Sequence, residues 1–145
     1  MPLVVETIDI GVEPGELFPV ISDYERYSDF MENVKEVNIV ERCEGYELVE
    51  FILNVDGRII KWIERNYYKP SENRIDFELV KGDLKTMGGY WQLESSGLST
   101  KVEYSIHFEF GIPMLAPLVH PLYARKLREN MKQMLAELKK KVESK

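Results

Sequence analysis

Disulfides, metal motifs and long apolar runs are all missing from this sequence, and each gap narrows its chemistry. One cysteine is present, Cys43; it cannot form an internal disulfide, so nothing points to secretion. The opening residues Met1-Pro2-Leu3-Val4-Val5-Glu6 carry neither a basic region nor an apolar stretch, and no signal peptide is expected. No run approaches the ~18 apolar residues of a membrane span. A cytoplasmic protein is the expectation, with at most transient membrane contact.

Basic excess is missing too. The net charge is -6, whereas a reader of phosphate backbones carries a basic stripe. The cluster Lys139-Lys140-Lys141 sits beside Glu137 and Glu143 and reads as a solvated helix end, where cations suit the macrodipole. No nucleic-acid partner is expected. The two histidines, His107 and His120, have no partners at Cys-x-x-Cys or His-Glu-x-x-His spacing, so no metal is expected. His107 falls on the polar face of its strand, and His120 stands beside Pro121 where it would rim a cavity mouth. There is no Gly-x-Ser-x-Gly elbow, and no histidine lies near Cys43. Gly88-Gly89 is not followed by Gly-Lys-Ser/Thr and reads as a bulge or bend in a curved strand. No cofactor is expected.

What is present is regular. The 145 residues, 44% hydrophobic and 30% charged, suit one soluble domain over 1–145. Such a chain hides roughly two thirds of its unfolded surface and needs neither disulfide nor metal to be stable. Turn signals recur at Glu13-Pro14-Gly15, Cys43-Glu44-Gly45, Asp56-Gly57, Pro70 to Asn73, Gly82-Asp83 and Ser95-Ser96-Gly97, and the segments between most of them alternate with period two. The pattern predicts strands over Val4–Val12, Val34–Arg42, Tyr46–Val55, Arg58–Tyr68, Arg74–Lys81, Leu84–Glu94 and Thr100–Phe110. Between the first two, Leu17, Phe18, Val20 and Ile21 have helical spacing behind Pro14, and Ser22-Asp23 would cap a second short helix over Tyr24–Met31.

In Arg74–Leu79 the apolar set is Ile75, Phe77 and Leu79; in the last strand it is Val102, Tyr104, Ile106, Phe108 and Phe110. One-sided strands belong to an antiparallel sheet with one wet and one covered face. The cover is a long C-terminal helix, in which Leu118, Leu122, Leu127, Met131, Met134, Leu135, Leu138 and Val142 recur at helical spacing. Pro113, Pro117 and Pro121 are expected to confine its regular part to the residues beyond them. Segregated strands and helices make the fold α+β.

A strongly twisted sheet around one helix need not close on it, and the remaining space is either core or a ligand pocket. The inward residues are large and adaptable: Trp62, Phe77, Met87, Trp91, Tyr104 and Phe108 from strands, Tyr27, Phe30 and Met31 from the short helices, Met131 and Met134 from the long one. If Trp62 faces in, alternation puts Ile60, Glu64, Asn66 and Tyr68 on the same side. Three placements stay open: Glu64 and Asn66 contact the polar end of a ligand, both sit wet at a rim, or Arg65 is the inward residue. A buried Glu64 would have a raised pKa and the makings of a general acid or base, so Glu64 and Asn66 are the weak catalytic candidates.

Several stretches then carry a family likeness. They are Val12 through Tyr27 (Val12-Glu13-Pro14-Gly15-Glu16-Leu17-Phe18-Pro19-Val20-Ile21-Ser22-Asp23-Tyr24-Glu25-Arg26-Tyr27), Gly82, Gly89-Tyr90-Trp91-Gln92-Leu93-Glu94 and Thr100-Lys101-Val102-Glu103-Tyr104. In order and spacing the chain resembles the helix-grip superfamily, also called START-like, Bet v 1-like or SRPBCC. It is most similar to the branch of polyketide cyclases/dehydrases and coenzyme Q-binding proteins. The resemblance implies a curved seven-stranded antiparallel sheet gripping the C-terminal helix, with two short helices between strands one and two. It also implies an apolar ligand such as a lipid, quinone or polyketide. The cavity arginine of aromatase/cyclases, four residues after the tryptophan of the fourth strand, falls at Asn66; a cavity tyrosine falls at Val34 and a cavity glutamine at Ile106. Tyr27, Met87, Trp91 and Asn130 are kept. The apolar shell is thus retained while the polar catalytic set is not. That favours a binder or carrier over a cyclase or dehydrase, with a protein-interaction module as a third reading.

Overall fold

The computed structural model describes residues 3–55, 57–82, 84–109 and 116–144. Asp56, Asp83, Phe110, Pro113 and the side chains of Leu118, His120 and Leu122 lie outside the described residues. The elements run β1 (Leu3–Ile10), α1 (Pro14–Ser22), a 3-10 turn (Tyr24–Arg26) continuing into the single-turn α2 (Tyr27–Phe30), β2 (Val34–Cys43), β3 (Tyr46–Val55), β4 (Arg58–Lys69), a 3-10 turn (Pro70–Glu72), β5 (Arg74–Gly82), β6 (Thr86–Ser96), β7 (Ser99–Glu109) and α3 (Ala116–Glu143). The seven strands form one antiparallel sheet in the order β1-β7-β6-β5-β4-β3-β2. This is the helix-grip fold. Among the described residues, no helix is long and apolar enough to cross a membrane.

Local chemistry explains where the boundaries depart from the pattern. β1 stops at Ile10 rather than Val12, because the Val12 N–H turns back to the Ile10 carbonyl at 2.9 Å and the Val12 carbonyl accepts the Thr100 hydroxyl at 2.7 Å. Ser22 and Asp23 do not cap the following turn; the Ser22 hydroxyl donates to the Phe18 carbonyl at 2.9 Å instead. The long helix starts at Ala116, ahead of Pro117 and Pro121. Pro117 falls in the first turn, where no N–H bond is needed, and the helix absorbs the one bond that Pro121 cannot make.

Gly88 and Gly89 make no bulge. The β6–β7 ladder runs unbroken from Thr86↔Glu109 to Ser96↔Ser99. The reason for glycine at 89 is close approach: a Cβ there would stand 1.8 Å from the Ser105 carbonyl oxygen and 3.0 Å from the Phe77 ring. The bulges lie elsewhere, two along β2 and one where β5 meets β4.

Between the sheet and α3 lies the core. Met131, Leu135, Leu138 and Val142 are buried at helical spacing against the inward rows of the strands. The outer face is polar and paired: Arg65 with Glu78 at 2.8 Å, Lys69 with Asp76 at 2.8 Å, and the Arg74 guanidinium 4.1 Å over the Tyr90 ring. The end of α3 is pinned to β1 by Glu143, which accepts the Gly11 N–H at 2.7 Å, and by Lys139, which donates to the Asp9 carbonyl at 2.7 Å.

Candidate functional site

β4 decides what the interior contains. Its pairing with β3 is continuous from Val55↔Arg58 to Glu47↔Asn66, so its side chains keep strict alternation. The extra residue at the β4–β5 irregularity sits on β5: Ile63 pairs with Lys81 and Glu64 with Leu79, leaving Val80 out and exposed. The inward row is therefore Ile60, Trp62, Glu64 and Asn66. Glu64 is 4% exposed and Asn66 fully buried. Arg65 points out, where it pairs with Glu78 and lies 5.2 Å from the Tyr46 ring. Of the three placements left open by the sequence, Arg65 as the inward residue and a wet rim for Glu64 and Asn66 both fail.

Beneath the sheet is a cavity of about 350 Å³. Twelve residues expected at the site line it: Tyr27, Trp62, Glu64, Phe77, Met87, Trp91, Tyr104, Phe108, Leu127, Asn130, Met131 and Met134. Three do not. Phe30 is half-buried and packs edge-on to Tyr27, with ring centroids 5.9 Å apart; α2 is one turn long and presents only Tyr27 to the interior. Met31 is buried in the core at the end of α2, off the cavity wall. Asn66 lies one step beyond Glu64 in the inward row without reaching the wall.

Lining residues outside the expected contact set include Tyr24, Phe51, Leu53, Arg58, Ile60, Leu84 and Lys126, together with Ile106, which the resemblance puts at a cavity position. Phe51 and Leu53 are visible as alternate residues of β3, and Ile60 as the inward neighbour of Trp62. Tyr24 has no signal separating it from Tyr27. Arg58 is exposed and Lys126 half-buried; charge alone does not mark either as a wall residue.

Two stacked pairs shape the walls. Trp91 lies on Tyr104 with centroids 3.8 Å apart and planes at 12°; Trp62 lies on Phe51 at 5.4 Å and 14°. Such ring pairs are rigid, large apolar surfaces. Asn130 is committed to structure: its Oδ1 accepts from the Asn33 side chain at 2.9 Å, and its Nδ2 contacts the Met134 sulfur at 3.5 Å.

Glu64 is the one acid among the described lining residues. Its Oε1 accepts the Trp62 indole N–H at 2.7 Å. Burial pushes the carboxyl up from its ordinary 4.5 to about 7, against the pull of Trp62 and of the Asn66 amide. The Asn66 dipole favours the ionised form, yet the amide falls short of hydrogen-bond geometry and both its polar atoms lack partners. Burial likewise holds the hydroxyls of Tyr24, Tyr27 and Tyr104 firmly protonated. The Tyr27 hydroxyl is spent on the Ile21 carbonyl. A group poised near neutrality in an apolar cavity can hold or accept a proton there. No cluster of metal-ligating side chains occurs among the described residues.

Residues 10–135 match the family model described as polyketide cyclase / dehydrase and lipid transport. The chain belongs to this family. A curated relative is the bifunctional cyclase/dehydratase of the actinorhodin polyketide synthase of Streptomyces coelicolor, 28% identical over 101 residues, which cover 68% of this chain and 32% of that one. The chain thus spans about a third of that relative's length. Another is the ribosome association toxin RatA of Pseudomonas aeruginosa, 22% identical over 110 residues, 75% of this chain and 76% of that one. Among solved structures, a START superfamily protein from Mycobacterium smegmatis superposes with a TM-score of 0.86 at 21% identity, over 98% of this chain and 97% of that one. That likeness is one of fold.

Proposed function

We propose that the protein acts as one domain that binds a small hydrophobic molecule, a lipid, quinone or polyketide-like compound, and carries or stores it. The observation that supports this is the cavity itself: about 350 Å³ under an intact sheet, walled by aromatic and methionine side chains. That volume suits a small apolar ligand. The lone cysteine suits a cytoplasmic carrier. Under this reading Tyr27, Trp62, Phe77, Met87, Trp91, Tyr104, Phe108, Leu127, Met131 and Met134 form the apolar contact surface, with Glu64 the polar contact.

A second reading, cyclase or dehydrase, draws on Glu64. Its carboxyl, held near neutrality inside the cavity, is the kind of group that shuttles a proton, and the Streptomyces coelicolor relative is named for such activity. Against it, the described wall carries no second carboxylate and no imidazole beside Glu64. An interaction module, as the name of the RatA relative suggests, would act through the surface or the cavity mouth and does not by itself call for an apolar interior.

Native mass spectrometry of the protein purified without denaturant tests the binder reading. A retained apolar mass is expected, as is quenching of Trp62 and Trp91 emission by anilinonaphthalene sulfonate. A bare chain whose tryptophans ignore that probe would refute it. Turnover of a poly-β-keto substrate that Glu64→Gln abolishes would favour the enzyme.

A further inference from the structure

The cavity carries two polar groups that an apolar shell does not explain. Tyr24 is 2% exposed and lines the wall, yet its hydroxyl has no hydrogen-bond partner. Burying a hydroxyl unpaired is costly. Glu64 also lines the wall, and its described hydrogen bond, from Trp62, engages Oε1. A run of side-chain contacts joins the two. The Tyr24 ring meets Phe51 edge-on at 5.3 Å, Phe51 stacks on Trp62 at 5.4 Å, and Trp62 binds Glu64 at 2.7 Å. Burial first, then Tyr27 and the Glu64 charge, keep the Tyr24 hydroxyl in its neutral, donating form.

We propose that this end of the cavity is a hydroxyl-recognition site: Glu64 accepts a hydrogen bond from a hydroxyl at one terminus of an otherwise apolar ligand, and the Tyr24 hydroxyl donates to that same ligand oxygen. The proposal rests on the cavity-binder reading and names the polar group the ligand carries. A hydroxyl donates and accepts through one atom, so a single ligand oxygen can serve both groups. At pH 8, with Glu64 ionised, a ketone has no proton to offer the carboxylate. A ligand carboxylate placed there would meet a like charge in a medium that screens poorly. A hydrocarbon leaves both protein groups unpaired. Two cationic residues line the cavity, Arg58 and Lys126; Lys126 is on α3, and Arg58 stands at the other end of the row, about 20 Å along β4 from Glu64 at ~3.3 Å per residue.

Three probes of one ring size separate the outcomes: naphthol, methylnaphthalene and naphthoate, titrated against Trp62 and Trp91 emission at pH 8 in the full chain. Naphthol is expected to bind about tenfold more tightly than methylnaphthalene, the worth of a charge-assisted hydrogen bond, with naphthoate weakest. Tyr24→Phe and Glu64→Gln should each lower the naphthol-to-methylnaphthalene ratio several-fold, a selectivity that a change in folding alone would not move. Equal wild-type affinities for naphthol and methylnaphthalene, or a ratio that neither variant alters, would overturn the hydroxyl site while leaving the cavity reading intact. Failure of all three probes to bind would overturn both.

Discussion

Replacing Glu64 with glutamine should change the pH dependence of folding in a direction opposite to that of an ordinary surface carboxylate. In the unfolded chain the carboxyl titrates near 4.5; burial raises it to about 7 in the fold. Below pH 4.5 both states hold the proton and the group is neutral in either. Between 4.5 and 7 the folded state holds a proton that the unfolded state has released, so stability falls as pH rises. Above 7 the fold carries an ionised carboxylate in an apolar wall, and the full penalty is present. At about 1.4 kcal/mol per pH unit, the rise from 4.5 to about 7 amounts to ~3 kcal/mol. For a chain of this length that is a Tm difference of about 10 °C. Glutamine keeps the shape and a carbonyl acceptor for the Trp62 N–H, and it has no proton to lose.

The measurement is urea unfolding of wild type and Glu64→Gln at half-unit steps from pH 4 to pH 8. The difference between the two proteins is the quantity to follow, because every other group titrates in both. Glu64→Gln should gain ~3 kcal/mol relative to wild type across that range, with the change centred between 4.5 and 7. A difference that stays constant to within about 1 kcal/mol would mean that Glu64 is hydrated in the native state, and the account of a dry polar end would fail with it.

Further substitutions test the frame. Gly89→Ala should cost about 3 kcal/mol or more in urea unfolding, since its Cβ would collide with the Ser105 carbonyl at 1.8 Å; a neutral effect would refute the close approach of β6 and β7. Asn66→Leu removes two buried amide atoms without partners and should stabilise the fold by ~1 kcal/mol, while carrying the Glu64 titration above about 7; a strong loss of stability would show that the amide has a partner. Arg65→Ala breaks an outward, half-exposed ion pair with Glu78 and should cost less than about 1 kcal/mol, leaving probe affinity unchanged; a change in binding would contradict its outward placement.

The sheet is legible in the sequence because its strands are one-sided: Ile75 and Phe77 against Arg74 and Asp76 leave no doubt about which face is covered. The faces of β4 are not legible, for a physical reason. Trp62, Ile63, Glu64 and Arg65 mix large apolar and charged groups on both parities, and a bulge on β4 would have exchanged them. The bulge falls on its neighbour at Val80, which no property of β4 itself encodes. Phe30 and Met31 resemble site residues because an aromatic and a methionine beside Tyr27 look alike in composition. Their exclusion comes from the shortness of α2, which depends on the chain turning into β2 at Val34.

Helical periodicity hides one further distinction. Leu127, Met131, Met134, Leu135, Leu138 and Val142 form a continuous apolar stripe, yet the stripe does two jobs. Leu127, Met131 and Met134 line the cavity, whereas Leu135, Leu138 and Val142 are not lining residues and are buried with Ile10, Leu17 and Ile21 in the core. The change occurs at residues 134 and 135, one step apart on the helix. Truncating a packed leucine loses transfer energy and leaves a new void, a cost of about 2–5 kcal/mol in well-packed sites. Truncating the half-buried lining residue Leu127 forfeits less packing and enlarges a space that already exists, so its effect falls more on ligand fit. Leu138→Ala should therefore lower stability and spare probe selectivity, and Leu127→Ala should do more to selectivity than to stability. If the two variants behave alike in both assays, the helix grips a uniform core and the cavity has no separate wall.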